Sequence, residues 1–88
     1  MLMVSWDYQI RDYRGLHVKP IAEIMSALLD SRCSVWLSCH GRRVNARDVM
    51  GLMELKGRKG DILAFQFMGE DEEAASGICQ ELLSKIRL

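Results

Sequence analysis

The sequence predicts an α+β fold in which helices pack on one face of a β-sheet. Three observations support this prediction. The chain has 88 residues, which is the size of one small domain. Its apolar residues switch repeatedly between a spacing of two, typical of strands, and spacings of three and four, typical of helices. The sequence has no linker, repeat or low-complexity segment, so we expect a single domain over residues 1–88 with the element order β-α-β-β-α-β-α.

The first strand and the first helix meet at the segment RGLHVKP, residues 14–20. Before it, apolar and polar residues alternate over residues 4–10, which predicts a strand with one buried face. After it, one helical stripe is formed by Ile21, Ile24, Met25 and Leu28. Pro20 suits the first turn of that helix, because its missing N–H would have no partner there. The helix should therefore begin with His17 near its N-cap and end at residues 30–31.

A hairpin is predicted next. Residues 33–39 alternate again and predict a second strand. Gly41 with Arg42 marks a tight turn, after which residues 43–46 can return as a short third strand.

A short helix, a fourth strand and a last helix complete the predicted order. Asp48 is a preferred capping residue and precedes the short helix, whose apolar positions are Met50, Leu52, Met53 and Leu55. Residues 62–68 alternate as a fourth strand, with its buried face formed by Leu63, Phe65 and Phe67. Asp71 can cap the last helix. The apolar repeat of that helix consists of Ala75, Ile78, Cys79, Leu82 and Ile86.

Composition argues against several classes of protein. The 12 basic and 12 acidic side chains give a net charge of zero, whereas a general nucleic-acid binder needs a basic excess to displace counterions from phosphates. Cys33, Cys39 and Cys79 are odd in number and form no CxxC motif, so we expect neither disulfides nor a CxxC zinc site. We expect buried, reduced thiols in a cytoplasmic protein, because there is no signal sequence and no apolar run near the ~18 residues that span a bilayer.

His17 is the candidate reactive residue, because a helix N-terminus changes what a histidine can do. Free N–H groups and the positive end of the helix dipole favour the neutral, nucleophilic ring and also attract anions. A phosphoryl group on His17 would lie over the amides of Val18 and Lys19, and the Lys19 ammonium would add a cation. Gly15 allows the sharp turn that leaves the ring accessible. On the residues alone, a surface histidine without a function fits the same position.

Four segments carry a resemblance to a known family. "GLHVKP" resembles the "GLHARP" active-site signature of HPr, the histidine-containing phosphocarrier of the bacterial phosphoenolpyruvate:sugar phosphotransferase system. "RDVMGLMEL" is similar to the second-helix segment "KSIMGVMSL" of Gram-positive HPr, and "KGRKGD" and "GEDEEAA" resemble the turn before the fourth strand and the start of the last helix. The segments occur in family order over nearly the whole chain. The resemblance implies an open-faced sandwich, a four-stranded antiparallel sheet with three helices on one face.

The resemblance also implies a function. Enzyme I, charged by phosphoenolpyruvate, would pass a phosphoryl group to Nδ1 of the histidine matched by His17, and the carrier would hand it to a histidine of an enzyme IIA domain. Such a protein is a carrier and not itself an enzyme. We expect a monomer with no metal, no cofactor, no bound nucleic acid and no membrane insertion. Both partners would dock on an apolar surface of the first two helices, where Val49, Met50 and Met53 match the exposed positions; flexible methionines suit several partners.

Three positions depart from the family pattern. Lys19 stands where arginine is usual, which keeps the charge but loses the planar fork for two phosphoryl oxygens. Val18 replaces a common alanine or threonine beside the ring. Asp48 falls at the serine that HPr kinase phosphorylates in Gram-positive bacteria, so it cannot accept phosphate there and carries a permanent single charge instead. The serine-based switch should therefore be absent or locked.

Other interpretations fit parts of the same sequence. The second interpretation is a regulatory interaction module, whose phosphorylation controls partner binding rather than sugar uptake. The retained His17 favours a carrier, whereas Lys19 and Asp48 favour some specialisation. A small nucleic-acid binder is disfavoured by the zero net charge. A metal trio of His17, His40 and Cys39 can be imagined, but no spacing fixes its geometry. Trp36 could contact a partner or lie under a neighbouring loop.

Overall fold

The computed structural model describes residues 3–88 and confirms the predicted order of elements. The strands are β1 (Met3–Gln9), β2 (Ser34–Cys39), β3 (Arg42–Asn45) and β4 (Ile62–Met68). The helices are α1 (Val18–Ala27), α2 (Val49–Glu54) and α3 (Glu72–Ile86). All four strands form one antiparallel sheet in the order β1-β4-β2-β3, as the resemblance implied.

The alternation along the central strands decides which face of the sheet the helices cover. The buried face of β4 consists of Leu63, Phe65 and Phe67, as predicted. Phe65 pairs in register with Trp6 of β1 and with Leu37 of β2. The Trp6 ring stacks on Phe65 with 4.4 Å between ring centroids. The helices bury this face, and the opposite face of the sheet is left without a helix, which is the open-faced arrangement.

The hairpin between β2 and β3 turns one residue earlier than predicted. Its loop is His40 and Gly41, with φ of 54° and 77°, so Cys39 pairs directly with Arg42. Two successive residues with positive φ match the right-handed twist of the flanking strands, which is why two-residue hairpins favour this turn. β3 therefore begins at Arg42 and ends at Asn45.

Trp36 lies on the face of the sheet that no helix covers. The Arg43 guanidinium carbon of the neighbouring strand lies 4.2 Å from the centroid of its ring. The indole is half-buried, and a strand neighbour rather than a loop covers it. This contact is a cation–π pair of the exposed kind.

α1 ends at Ala27, earlier than the predicted residues 30–31, and Leu28 is its C-cap. The carbonyl groups that follow are bound by the guanidinium of Arg47. Its acceptors are the carbonyl oxygens of Leu28 (3.2 Å), Ser31 (2.8 Å) and Cys33 (3.0 Å). A helix end leaves carbonyl groups without an intrahelical partner, so Arg47, which directly precedes the cap of α2, stabilises the early end of α1.

The start of α3 is built differently from the prediction. Asp71 occupies the N-cap position, but its side chain makes no capping bond. Its carboxylate accepts from the backbone N–H groups of Arg32 and Cys33 at 2.8 and 2.9 Å. Glu72 accepts from the N–H of Gly69 at 3.1 Å instead. Asp71 therefore fastens the segment before β2 to the start of α3.

The buried stripe of α3 is rotated relative to the predicted one. Ala75 and Cys79 are buried as expected, but Ile78 is exposed and Leu83, which the repeat omitted, is buried. At about 100° per residue, Ile78 and Leu83 lie on opposite edges of the stripe. Ser76 accepts a 2.7 Å hydrogen bond from the Trp6 indole and is buried, so the helix turns that edge toward the sheet.

Candidate functional site

The loop before α1 delivers His17 to the start of the helix. Gly15 adopts φ of 68°, and a Cβ there would lie 2.3 Å from the carbonyl oxygen of Gly57. Only glycine fits this close approach without a shift of backbone. The N–H of Gly15 donates to the Asp12 carbonyl at 2.9 Å, and that of Leu16 donates to the Gly57 carbonyl at 2.9 Å. The loop is thereby fixed against the segment that precedes β4.

His17 is the N-cap of α1, as the sequence predicts, with extended φ and ψ of −99° and −177°. Its side chain makes no capping hydrogen bond. The first helical bond runs from the Ile21 N–H to the His17 carbonyl at 3.2 Å. Between them, Pro20 has no N–H, and within residues 3–88 the amides of Val18 and Lys19 have no acceptor. Two N–H donors therefore stay free at this helix start.

The ring of His17 opens into a cavity of about 310 Å³. The cavity is lined by Asp12, Arg14, His17, Lys19, Pro20, Glu23, Lys85, Ile86 and Leu88. Three of these side chains are cations and two are carboxylates. The His17 side chain is 28% exposed, so the ring is reachable from solvent. A cavity with cations and free amides beside an accessible imidazole suits a small anionic group.

Two residues of this site, Asp12 and Arg14, are absent from the sequence-based set. Asp12 Oδ2 lies 3.7 Å from His17 Nε2. Arg14 donates to the same carboxylate from its backbone N, its Nε and its Nη2, at 2.9, 3.2 and 3.0 Å. These bonds, led by the one from the Arg14 side chain, lower the pKa of the Asp12 carboxyl. The signal in the sequence was an oppositely charged pair two residues apart, just before the glycine turn.

Lys19 is exposed and lines the cavity, in line with its predicted place beside His17. Within residues 3–88 its ammonium makes no ion pair. Arg14 and Lys85 differ in this respect, because Arg14 is paired with Asp12 at 3.0 Å and Lys85 with Glu81 at 3.1 Å.

A second cavity, of about 510 Å³, lies between α1 and α2. Its lining is almost entirely apolar and consists of Val18, Ile21, Ala22, Met25, Ser26, Leu29, Arg47, Val49 and Met53. Val49, Met50 and Met53 are exposed as predicted, with Met50 at 68%. Val18 and Leu29 add exposed apolar surface from α1. The apolar surface begins at Val18, directly beside His17.

Asp48 caps α2 as predicted. Its carboxylate accepts from the N–H of Gly51 at 3.0 Å, and the residue is exposed at the edge of the apolar surface. The side chain of Asp48 therefore occupies the Gly51 amide of α2, whereas the side chain of His17 occupies no amide of α1.

His40 lies far along the chain from His17 and belongs to a different cluster. Its Nε2 lies 2.8 Å from Asp61 Oδ2, and that oxygen also accepts from the N–H of Arg58 at 2.8 Å. Cys39, His40 and Asp61 each offer a metal-ligand atom within 4.8 Å of the others. The imagined trio of His17, His40 and Cys39 is not among the metal-ligand groups that residues 3–88 form.

The three cysteines are buried, as predicted, and each is free. Burial raises the pKa values of all three thiols, that of Cys79 to about 12. Among residues 3–88, none of the three helices has the length and apolar character needed to cross a membrane.

The fold and the site together define a class of small open-faced α+β sandwiches that present a histidine at the start of their first helix. The family model described as the PTS HPr component phosphorylation site matches residues 4–85. The chain therefore belongs to the HPr family of phosphocarrier proteins.

Three known proteins show how far the likeness extends. The chain is 30% identical over 80 residues to the phosphocarrier protein HPr of Xylella fastidiosa (strain Temecula1), which covers 91% of this chain and 90% of that protein. It is 33% identical over 73 residues to the HPr-like protein Crh of Bacillus subtilis (strain 168), covering 83% and 86%. The crystal structure of an HPr dimer from Thermoanaerobacter tengcongensis shares 27% identity and a TM-score of 0.73, covering 89% and 90%.

Proposed function

We propose that this protein carries phosphoryl groups in the phosphoenolpyruvate:sugar phosphotransferase system. Enzyme I, charged by phosphoenolpyruvate, would transfer a phosphoryl group to His17, and the chain would pass it to an enzyme IIA domain in bacterial sugar uptake. In this scheme the protein needs no cofactor and acts as a carrier rather than an enzyme. It works as a monomer in the cytoplasm alongside these partners.

The proposal rests on one observation: His17 occupies the N-cap position of α1, but its side chain makes no capping hydrogen bond. A histidine there leaves the amides of Val18 and Lys19 unpaired. Their N–H groups and the helix dipole favour an anion beside the ring. An accessible imidazole, an amide pair and a cation-lined cavity supply a nucleophile and a place for the phosphoryl oxygens.

The groups around the cavity have different roles in binding the phosphoryl oxygens. Of the three cations that line the cavity, Lys19 is the one without an ion pair within residues 3–88, and it adds a charge-assisted contact to a phosphoryl oxygen. The Val18 and Lys19 amides bind the other oxygens. Arg14 is held on Asp12, so it contributes positive potential from a fixed position.

The apolar surface beside His17 is where we expect both partners to dock. Val49, Met50 and Met53 of α2 are exposed, and the cavity between α1 and α2 gives a concave apolar surface. Unbranched methionine side chains adapt to different partner surfaces. Such a surface suits two proteins that must bind in turn, near the ring, and leave quickly.

Labelling with phosphoenolpyruvate and enzyme I tests the proposal. The parent chain should gain one phosphoryl group by intact mass, and the label should be acid-labile, as a phosphoramidate is. His17→Ala should abolish the label, while His40→Ala should keep it, since His40 lies outside the cavity. The His17 side chain makes no capping bond, so its removal should leave the fold intact. A His17→Ala protein that is labelled as fully as the parent would contradict the proposal.

A regulatory role is the second candidate, and Asp48 is the observation that favours it. An HPr kinase substrate needs a hydroxyl at this position, and this chain has a carboxylate with a permanent negative charge. A relative of similar identity is the HPr-like protein Crh. In this alternative, phosphorylation of His17 controls the binding of a partner rather than sugar uptake.

A transfer assay separates the two candidates. The phosphorylated chain should lose its label to an enzyme IIA domain if it is a carrier, and keep it if it is only a regulator.

A kinase assay tests the assignment of Asp48. With HPr kinase and ATP, the parent should take up no phosphate at position 48, whereas Asp48→Ser should become a substrate. Stoichiometric kinase labelling of the parent would contradict the assignment of Asp48 as a blocked site.

A further inference from the structure

We propose that Asp12 positions the imidazole of His17 by holding the ring proton on Nε2, which leaves the reacting lone pair on Nδ1. The inference rests on the proposed function and deepens it, because it names the residue that selects the reacting nitrogen. Asp12 acts through His17 and is a positioning residue. It lies outside the "GLHVKP" motif that carries the family resemblance.

The contact between the two side chains is direct. Asp12 Oδ2 lies 3.7 Å from His17 Nε2, a distance of electrostatic contact that exceeds a hydrogen bond. Bonds of catalytic groups are often long without substrate and shorten in the reacting complex. An ionised carboxylate only accepts protons, so it favours the ring tautomer with its N–H on Nε2. Nδ1 then carries the lone pair.

The loop holds the Asp12 carboxylate in one place. Its side chain is 12% exposed. Arg14 donates to Oδ1 from its backbone N and Nε and to Oδ2 from Nη2. The Asp12 N–H donates to the backbone oxygen of Leu88 at 2.6 Å, and the Asp12 carbonyl accepts from the Gly15 N–H at 2.9 Å. The bonds from Arg14 keep the pKa of the carboxyl below its usual value, so Asp12 is ionised at neutral pH.

The other charged groups around the cavity do not replace this carboxylate. Glu23 lines the cavity, but within residues 3–88 Asp12 is the one acid within 4 Å of the His17 ring nitrogens. The cations Arg14, Lys19 and Lys85 line the same cavity and offer no acceptor for the ring N–H. Asp12 therefore offsets the positive charge that the ring acquires when it is phosphorylated.

The transfer step balances with this assignment. The Nδ1 lone pair attacks phosphorus of the phosphorylated donor protein and forms the N–P bond. The bond between phosphorus and the donor atom breaks, and its electron pair stays with the donor. No proton leaves His17, because the N–H remains on Nε2, and the ring becomes a phosphoimidazolium beside the Asp12 carboxylate. Return transfer to an acceptor reverses these steps.

The variant Asp12→Asn tests the tautomer directly. Two of the three Arg14 donors bind Oδ1 and one binds Oδ2. The asparagine carbonyl oxygen should therefore stay at the Oδ1 position, and the NH₂ group should take the place of Oδ2 and face Nε2 of His17. A donor at this place favours a bare Nε2 and moves the ring proton to Nδ1. We expect ¹⁵N chemical shifts of His17 to show Nε2–H in the parent and a shift toward Nδ1–H in Asp12→Asn. Single-turnover phosphoryl transfer should slow roughly tenfold or more, because the wrong tautomer is present.

Asp12→Ala separates this role from a structural one. Alanine neither accepts nor donates, so His17 should return to the tautomer mixture of a solvated ring. The transfer rates should fall in the order parent, Asp12→Ala, Asp12→Asn. If Asp12 only stabilises the loop, Asp12→Ala should be the slower variant, because alanine removes all three bonds from Arg14 whereas asparagine can keep some of them. That opposite order of rates would overturn the proposal. Unchanged His17 shifts and rates in Asp12→Asn would overturn it as well.

The second histidine–aspartate pair supplies the matched control. His40 and Asp61 are in contact at 2.8 Å outside the cavity. Asp61→Asn should change the ¹⁵N shifts of His40 and leave both the His17 shifts and the transfer rate unchanged. Failure of the proposed function has a different signature: the parent chain would take no label from phosphoenolpyruvate and enzyme I. The ¹⁵N comparison of parent and Asp12→Asn decides the tautomer independently of that result.

Discussion

Two residues cap the first two helices, and they use the helix ends in opposite ways. Asp48 accepts from the N–H of Gly51 at 3.0 Å, so its side chain consumes a free donor of α2. His17 makes no such bond, and the first amides of α1 are left for another acceptor. An aspartate or serine at position 17 would cap the helix by accepting from the Lys19 N–H, because Pro20 has no N–H to donate. With histidine at this position, α1 lacks a side-chain cap, but its first amides can bind an anion next to a nucleophilic ring.

Lys19 gives a prediction at the scale of one side chain. Its ammonium provides a point charge, whereas arginine would offer two parallel N–H groups. Hydrogen bonds to charged groups contribute roughly 1.5–3 kcal/mol, and about 1.4 kcal/mol is one decade in rate. Lys19→Ala should therefore slow transfer from enzyme I roughly tenfold or more, and Lys19→Arg should leave it unchanged or faster. Single-turnover rates at fixed salt measure both.

The control for Lys19 is Lys59→Ala, because Lys59 is exposed and lies outside the cavity lining. Its removal lowers the net charge by the same amount and should leave the rate unchanged. If Lys19→Ala transfers as fast as the parent, the ammonium has no part in the chemistry, and the anion site reduces to His17 and the backbone amides.

At the scale of elements, the ends of α1 are set by contacts with distant segments. Gly15 approaches the Gly57 carbonyl so closely that no side chain fits at its start. Arg47 binds three carbonyl groups at and after its end. The same Arg47 precedes the cap of α2 and lines the apolar cavity between the two helices. The two helices of the proposed docking surface are thereby held at one spacing.

Arg47→Met tests this connection. Methionine keeps an apolar stem but removes the guanidinium that binds the Leu28, Ser31 and Cys33 carbonyls. Leaving part-buried acceptors without donors costs about 1–3 kcal/mol for a group of this kind, so the free energy of unfolding should fall by about 2–3 kcal/mol. Urea unfolding at neutral pH measures the loss.

Arg32→Met is the comparison for Arg47. The Arg32 side chain is exposed and makes no hydrogen bond within residues 3–88, so this variant should keep the stability of the parent within about 0.5 kcal/mol. Equal unfolding midpoints for the two variants would show that the guanidinium of Arg47 does not stabilise the end of α1.

At the scale of the whole molecule, one aromatic layer and a few carboxylates hold the sheet, the helices and the loops together. Trp6 stacks on Phe65 in the sheet and donates to Ser76 of α3 at 2.7 Å. Asp71 joins the start of α3 to the segment before β2, and Asp61 joins the β2–β3 turn to the start of β4. The contacts of Asp71 and the Asp61–His40 contact span long stretches of the sequence. An ionised carboxylate accepts hydrogen bonds at both oxygens, so these residues stabilise the folded state most when they are ionised.

Acid should therefore destabilise the protein. The folded state lowers the carboxyl pKa values of Asp12, Asp61 and Asp71 from their ordinary value of 3.8. For Asp71 the first cause is the backbone hydrogen bond from Arg32. A lowered folded pKa means that the unfolded chain binds protons first, so this stability is fully present above the unfolded value and is lost as pH falls through the folded value. Urea midpoints should hold from pH 7 to about pH 5 and fall below that.

Asp71→Asn isolates one of these carboxylates. The amide keeps one acceptor oxygen for two backbone donors, so its urea midpoint should lie below that of the parent at pH 7. The difference should narrow at pH 3, because below the ordinary pKa value of 3.8 the unfolded parent chain binds a proton at this carboxyl. Asp30→Asn, at an exposed residue without a hydrogen bond in the described chain, should match the parent at both pH values. A constant difference between Asp71→Asn and the parent from pH 7 to pH 3 would contradict this account.

Local sequence patterns were enough to predict the order of elements, the buried faces of the central strands and the place of His17 at the start of α1. These features depend on periods of two and of three to four residues and on local signals such as Pro20 and Asp48. Such signals act within a few residues of each other, so they can be read along the chain. The exposure of Val49, Met50 and Met53 also followed from local pattern, together with the family resemblance.

Features that depend on residues far apart in sequence could not be predicted in this way and became visible only in the folded chain. The early end of α1 comes from Arg47, the role of Asp71 comes from Arg32 and Cys33, and the rotation of α3 comes from the contact of Ser76 with Trp6. The approach of Asp12 to His17 is set by a loop whose bonds reach Gly57 and Leu88. Spacing along the chain contains no measure of these distances, because they arise when the sheet brings separate loops to one end of α1.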